Sequence, residues 1–112
     1  DFIYDGIPYD LKVTSHPDAW KSVAGKMTRD DKIKLALELF RGVDSGRIRK
    51  RAEKCKHNWG LNRMYYLVSN SELWHSDPQG VVGYLLDNLP DQDNYFDIEV
   101  HGFNIHICMV EQ

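Results

Sequence analysis

The sequence has few of the features that would assign a chain to a membrane, secreted or nucleotide-binding class. No apolar run approaches the roughly 20 residues that cross a bilayer. The N-terminus has neither the basic start nor the small-residue cleavage site of a signal peptide. GxSxG, Walker and GxGxxG sequences are absent as well. These absences exclude the commonest motif-based assignments, so the chemistry has to be inferred from individual polar residues.

Cysteine is also scarce, because Cys55 and Cys108 are the only two in the chain. They lie far apart and form no CxxC pair, which favours reduced thiols in a cytoplasmic protein over a disulfide framework. A zinc site made from these cysteines with His57, His101 and His106 would lack the usual ligand spacing. The cysteine pattern therefore predicts a cytoplasmic location and disfavours structural zinc.

What is present is the composition of a globular domain: 112 residues, 42% hydrophobic and 28% charged. We find no repeat, low-complexity tract or linker, so residues 1–112 are predicted to form a single domain. The chain has no initiator Met and begins inside a predicted strand. We therefore expect that an upstream piece has been removed and that the domain is incomplete at its N-terminus.

Positive charge is concentrated in one segment, residues 47–56 (RIRKRAEKCK), which has a net charge of +5 in a chain of net charge −3. The rest of the chain therefore has a net charge of −8. A focused basic segment attracts polyanions, although it is also compatible with an ordinary solvated helix face. We predict a helix over 46–57 whose nucleic-acid-binding residues are Arg47, Arg49, Lys50, Arg51, Lys54 and Lys56.

Alternating apolar residues predict two β-hairpins. The first turns at Asp5-Gly6, which would pair Phe2 with Tyr9 and Asp1 with Asp10. The second turns at His101-Gly102 and would place His106 opposite Asp97 as an ion pair. Residues 62–70 (NRMYYLVSN) are apolar on both faces, as in a central strand that is buried on both sides.

Helical patterns separate these strands. Thr28 and Asp31 resemble a capping box for a helix over 29–41, and Asp77-Pro78 begins another helix that Pro90 ends. His16 and His75 are placed in exposed loops. The sequence therefore predicts the α/β class, with a central mixed β-sheet and flanking helices.

A polar group lies on one face of the first hairpin, opposite its apolar face. Asp1 and Asp10 could hold Mg²⁺ or Mn²⁺ together with the carbonyl of Leu11, because these cations take oxygen ligands and retain several waters. Lys12 projects to the same face and could orient a water or balance the charge of a reacting phosphate. An ordinary surface ion pair between Lys12 and the acidic residues is the alternative.

The hairpin with Asp1 on one strand and DLK at 10–12 on the next resembles the PD-(D/E)XK nuclease superfamily, which has the restriction-endonuclease-like fold. The resemblance covers about the first 70 residues, in which a helix and a buried strand follow the hairpin. It implies that Asp1 and Asp10 are metal ligands and that Lys12 is the catalytic lysine. The N-terminal helix of the family, which often supplies a glutamate, is missing from this chain.

The resemblance leads us to expect a Mg²⁺-dependent endonuclease that hydrolyses phosphodiester bonds, in DNA rather than RNA. The alternative is a non-catalytic nucleic-acid-binding or assembly module that retains the nuclease fold. A second copy of the chain, or another chain, is a candidate source of the missing N-terminal part. No membrane partner is expected.

Overall fold

The computed structural model describes residues 2–41, 62–69, 72–100 and 102–112, and all structural statements concern this part of the chain. Its strands are β1 (Phe2–Tyr4), β2 (Ile7–Thr14), β3 (Arg63–Leu67), β4 (Tyr95–Val100) and β5 (Phe103–Glu111). Its α-helices are α1 (Arg29–Arg41), α2 (Leu73–Ser76) and α3 (Pro78–Asn88). Two short 3₁₀ helices occupy Asp18–Val23 and Gln92–Asn94.

The five strands form one mixed sheet in the order β1-β2-β3-β5-β4. Strands β2, β3 and β5 are parallel to one another, whereas β1 and β4 are antiparallel edge strands that join their neighbours through hairpins. The protein therefore belongs to the α/β class with a mixed sheet, as predicted. No helix among the described residues is long and apolar enough to cross a membrane.

The first hairpin has the predicted register, with Phe2 opposite Tyr9. Asp5 and Gly6 both have positive φ, 52° and 76°, as the two central residues of a type I′ turn require. Glycine has no Cβ and aspartate tolerates the left-handed region better than most residues, so this dipeptide suits the turn. The local sequence is thus sufficient to set the alternation of side chains along β2.

Strand β3 is the centre of the sheet, and all five of its residues are buried. Its side chains alternate between two hydrophobic cores, one on each face. Tyr65 and Leu67 pack with helix α1, whereas Met64 and Tyr66 pack with helix α3. The prediction of a central strand buried on both sides is confirmed.

The starts of helices α1 and α3 are capped as the sequence predicts. The side chain of Asp31 accepts from the backbone N–H of Thr28 at 3.1 Å, and the Thr28 hydroxyl accepts from the Asp31 N–H at 3.2 Å. At α3 the Asp77 side chain accepts from the Gly80 N–H at 3.1 Å, and Pro78 occupies the first helical turn. The capping box and the second helix start are confirmed.

The second hairpin also has the predicted register, and the His106 Nδ1 atom lies 2.6 Å from Asp97 Oδ1. His16 lies in a loop, as predicted, but its side chain is buried rather than exposed. His75 is exposed, as predicted, but it lies in helix α2 rather than in a loop. Asp1 and the predicted basic helix over 46–57 lie outside the described residues.

Candidate functional site

Asp10 and Lys12 lie on strand β2 and share the sheet face that packs against α1. The Lys12 Nζ atom is 3.4 Å from Asp10 Oδ2, and their side chains are 53% and 23% exposed. The strand register brings them together, because residues two apart on a strand project to the same face. The structure therefore places an ammonium group beside a partly exposed carboxylate, the pairing predicted from the DLK sequence.

Arg63 is a further member of this site that the sequence analysis did not identify. It is the register partner of Asp10 on the parallel strand β3, and its guanidinium forms an ion pair with Asp10 Oδ2. The guanidinium lies over the ring of Phe40 on α1, 5.6 Å from the centroid. Arg63 is the one charged residue in the apolar run of β3, and that contrast was the available signal.

Tyr65 lies next to Arg63 on the same face, opposite Lys12 in the register. Burial raises the pKa of Tyr65 to about 12, although the charge and hydrogen bond of Arg63 act in the opposite direction. Its ring meets Phe40 edge to face, with centroids 6.4 Å apart. The phenol is therefore neutral at physiological pH, and two aromatic rings back the charged residues of the site.

The hydrogen bonds of β2 show which way the Leu11 carbonyl points. In the β2–β3 ladder, the Asp10 N–H donates to Asn62 and the Thr14 carbonyl accepts from Val68. Hydrogen bonds to one neighbour alternate along a strand, so the Leu11 carbonyl faces away from β3, toward the β1 side. That side also carries the first strand of the hairpin, where the sequence places Asp1.

The donor set around Asp10 is small within the described residues. No group of three or more His, Cys, Asp or Glu side chains in ranges 2–41, 62–69, 72–100 and 102–112 could hold a metal ion. Asp10 is already contacted by the cations of Arg63 and Lys12. A hard divalent cation here would have Asp10, the Leu11 carbonyl, Asp1 from outside the described part, and waters as ligands.

Two of the residues considered for a zinc site, Cys108 and His106, lie in the described part of the chain, and both make other contacts. Cys108 is fully buried, and burial raises its pKa to about 11. His106 is bound to Asp97. A protonated thiol in an apolar core is a poor metal ligand, because the thiolate is the form that binds. Cys55, His57, His101 and the six basic residues of 47–56 lie outside the described part of the chain.

A buried contact between a histidine and a carboxylate joins the segment after β2 to the end of β5. Glu111 Oε2 lies 2.6 Å from His16 Nε2 and accepts from the Gly25 N–H at 2.7 Å. Its other oxygen, Oε1, accepts from the Met27 N–H at 3.1 Å. These contacts fasten residues 16–27 to the sheet and explain the burial of His16.

Comparisons with protein families, with curated proteins and with solved structures find no match for this chain.

Proposed function

We propose that this protein is a Mg²⁺-dependent endonuclease of the PD-(D/E)XK type that hydrolyses phosphodiester bonds in DNA. The observation that carries the proposal is the position of Lys12, 3.4 Å from Asp10 on one face of a strand that directly follows a tight hairpin. The order of a hairpin, helix α1 and a parallel buried strand β3 further supports the proposal.

In this proposal Asp1, Asp10 and the Leu11 carbonyl would hold the metal, which would supply Lewis-acid stabilisation to the reacting phosphate. Lys12 orients the attacking water and balances the charge that develops on the phosphate. Its exposed side chain leaves room for substrate. Arg63 acts as a positioning residue, because its ion pair from a buried strand fixes the orientation of the Asp10 carboxylate.

The basic segment 47–56 is the proposed contact for the DNA backbone. Phosphate groups are neutralised by Lys and Arg side chains, and this segment has a net charge of +5. The rest of the chain has a net charge of −8 and would repel the DNA backbone. The proposal also includes association with a second copy of the chain or with another chain.

The alternative function is a non-catalytic nucleic-acid-binding module with the same fold. One observation favours it: two cations, Arg63 and Lys12, already contact Asp10 Oδ2. A metal must compete with both for the negative charge of Asp10. For the same reason the nuclease proposal predicts weak metal binding.

Calorimetric titration of Mn²⁺ distinguishes the two functions. We expect the wild type to release or absorb heat with a weak saturable isotherm, and Asp10→Asn to lose it. Asp87→Asn, which removes an exposed carboxylate from α3, is the matched control and should titrate like the wild type. Circular dichroism establishes that each variant is folded. Equal heats for the wild type and a folded Asp10→Asn would rule out the metal site.

A further inference from the structure

A cavity of about 240 Å³ lies on the opposite face of the sheet from Asp10, on the side of helix α3. It lies beyond the N-terminal end of β3, where no described strand separates the first hairpin from β5. Asn62 bridges this gap: its Nδ2 donates to the Pro8 carbonyl at 3.4 Å, and its Oδ1 accepts from the His106 N–H at 3.3 Å. The cavity is lined by Tyr4, Asp5, Ile7, Tyr9, Gln92, Tyr95 and His106.

Aromatic rings dominate the lining, and those of Tyr4, Tyr95 and His106 lie nearly parallel. The rings of Tyr4 and Tyr95 are inclined by 16° with centroids 6.5 Å apart, and those of Tyr95 and His106 by 19° with centroids 6.0 Å apart. Tyr9 adds a tilted ring 5.8 Å from His106. Ring faces carry partial negative charge, so a cluster of them favours flat and cationic ligands.

The charges around the cavity favour the same ligands. Asp5 lines it, and Asp97 lies behind His106 at 2.6 Å, whereas none of the described lining residues is Lys or Arg. Burial raises the pKa of Tyr9 to about 12, and the negative charges of Asp5 and Asp97 act in the same direction. Burial also raises the pKa of Tyr95. The two phenols are therefore neutral, and an anionic ligand would be repelled by the carboxylate of Asp5.

We propose that this cavity, formed by the first hairpin and strands β4 and β5, binds a small flat organic cation of the pyridinium class. Three tyrosine rings line the cavity and can contact the ring of such a ligand, and the charge of the ligand is complementary to Asp5. The volume suits a single substituted ring, since drug-sized pockets span about 300–1,000 Å³. This site does not depend on the proposed nuclease activity, which uses the other face of the sheet.

Three probes with one ring framework and different charge test the proposal: 1-methylnicotinamide is a cation, nicotinamide is neutral and nicotinate is an anion. Each is titrated into the wild type while chemical shifts of the tyrosine ring protons are followed. We expect the cation to bind about two- to thirtyfold more tightly than the neutral ring, the range of one cation–π contact, and the anion to bind most weakly. Equal affinities, a reversed order, or no binding of the cation at millimolar concentration would overturn the proposal.

Two variants locate the site. Tyr4→Leu should weaken the cation at least threefold, and Asp5→Asn should reduce its advantage over nicotinamide while preserving the turn, because asparagine also tolerates positive φ. Tyr84→Leu and Asp87→Asn make the same substitutions outside the cavity and should bind like the wild type. Binding unchanged in both Tyr4→Leu and Asp5→Asn would place the ligand elsewhere. Lys12→Ala should bind the cation normally even if it affects DNA cleavage.

Discussion

At the scale of single residues, Arg63 organises the polar side of the candidate active site. It is 8% exposed, it pairs with Asp10, and its guanidinium is stacked over Phe40. The position of Asp10 and Lys12 on one face could be predicted, because it depends only on alternation along one strand. The contact with Arg63 could not, because it depends on the register between β2 and β3, which the intervening sequence does not specify.

Replacing Arg63 by Met should lower the free energy of unfolding by about 1–3 kcal/mol, because Asp10 then loses a charged partner on its buried side. The partial exposure of Asp10 to water keeps the cost below that of a fully buried pair. Urea denaturation measures the change. Lys34→Met removes an exposed cation from α1 and should change stability by less than about 0.5 kcal/mol. Equal stabilities of the two variants would contradict the role given to Arg63.

The buried thiol of Cys108 should make the free energy of unfolding fall at alkaline pH. Burial raises its pKa from 9.0 to about 11, so the unfolded chain loses this proton before the folded protein does. The contribution is therefore complete below pH 9 and is lost as the pH rises toward 11, by about 2–3 kcal/mol. In Cys108→Ala the loss of stability between these pH values should be smaller by that amount. Parallel curves for the two proteins would exclude this explanation.

At the scale of elements, the hairpins and helix caps, which depend on neighbouring residues, could be predicted. The contact between His16 and Glu111, which are distant in sequence, could not. Both hairpin registers and both helix caps follow from turn and cap residues within a few positions of one another. The burial of His16 depends on Glu111, 95 positions away, and no local pattern indicates that contact. An isolated histidine before a proline is typical of a loop, so the sequence favoured exposure.

The Glu111 carboxylate should hold the segment between β2 and α1 in place. Glu111→Gln replaces one acceptor oxygen by a donor group, so at least one of the N–H groups of Gly25 and Met27 loses its partner. We expect faster amide hydrogen exchange at these two residues and a loss of about 1–3 kcal/mol in stability. Glu99→Gln on the exposed side of β4 is the control. Unchanged exchange at Gly25 and Met27 would show that the carboxylate does not fasten this segment.

At the scale of the whole molecule, the uneven charge distribution is the main sequence argument for a nucleic-acid partner. If the segment 47–56 makes about four phosphate contacts, the log–log slope of DNA affinity against salt should be near −3.6, at roughly −0.9 per contact. Substituting Arg49 and Lys50 together by Gln should make the slope less steep by up to about two and weaken binding to all sequences alike. Fluorescence anisotropy with labelled duplex measures both effects.

The matched control for that experiment is Lys26→Gln with Lys34→Gln, which removes two exposed cations from the region around the start of α1. It should leave the slope near the wild-type value. A slope that is unchanged in the Arg49 and Lys50 variant would move the DNA contact elsewhere. Negligible affinity at every salt concentration would indicate that the basic segment pairs with the acidic surface of the protein itself.

The most direct test of the account is cleavage of supercoiled plasmid DNA in Mg²⁺ by the wild type and by Lys12→Ala. The account predicts that the wild type nicks or linearises the plasmid, that EDTA stops it, and that Lys12→Ala is inactive. Because Lys12 is 53% exposed and lies outside both hydrophobic cores, Lys12→Ala should retain the wild-type circular dichroism and melting temperature. A folded Lys12→Ala protein that cuts at the wild-type rate, or a wild type that binds DNA without cutting it, would contradict the assignment as a nuclease.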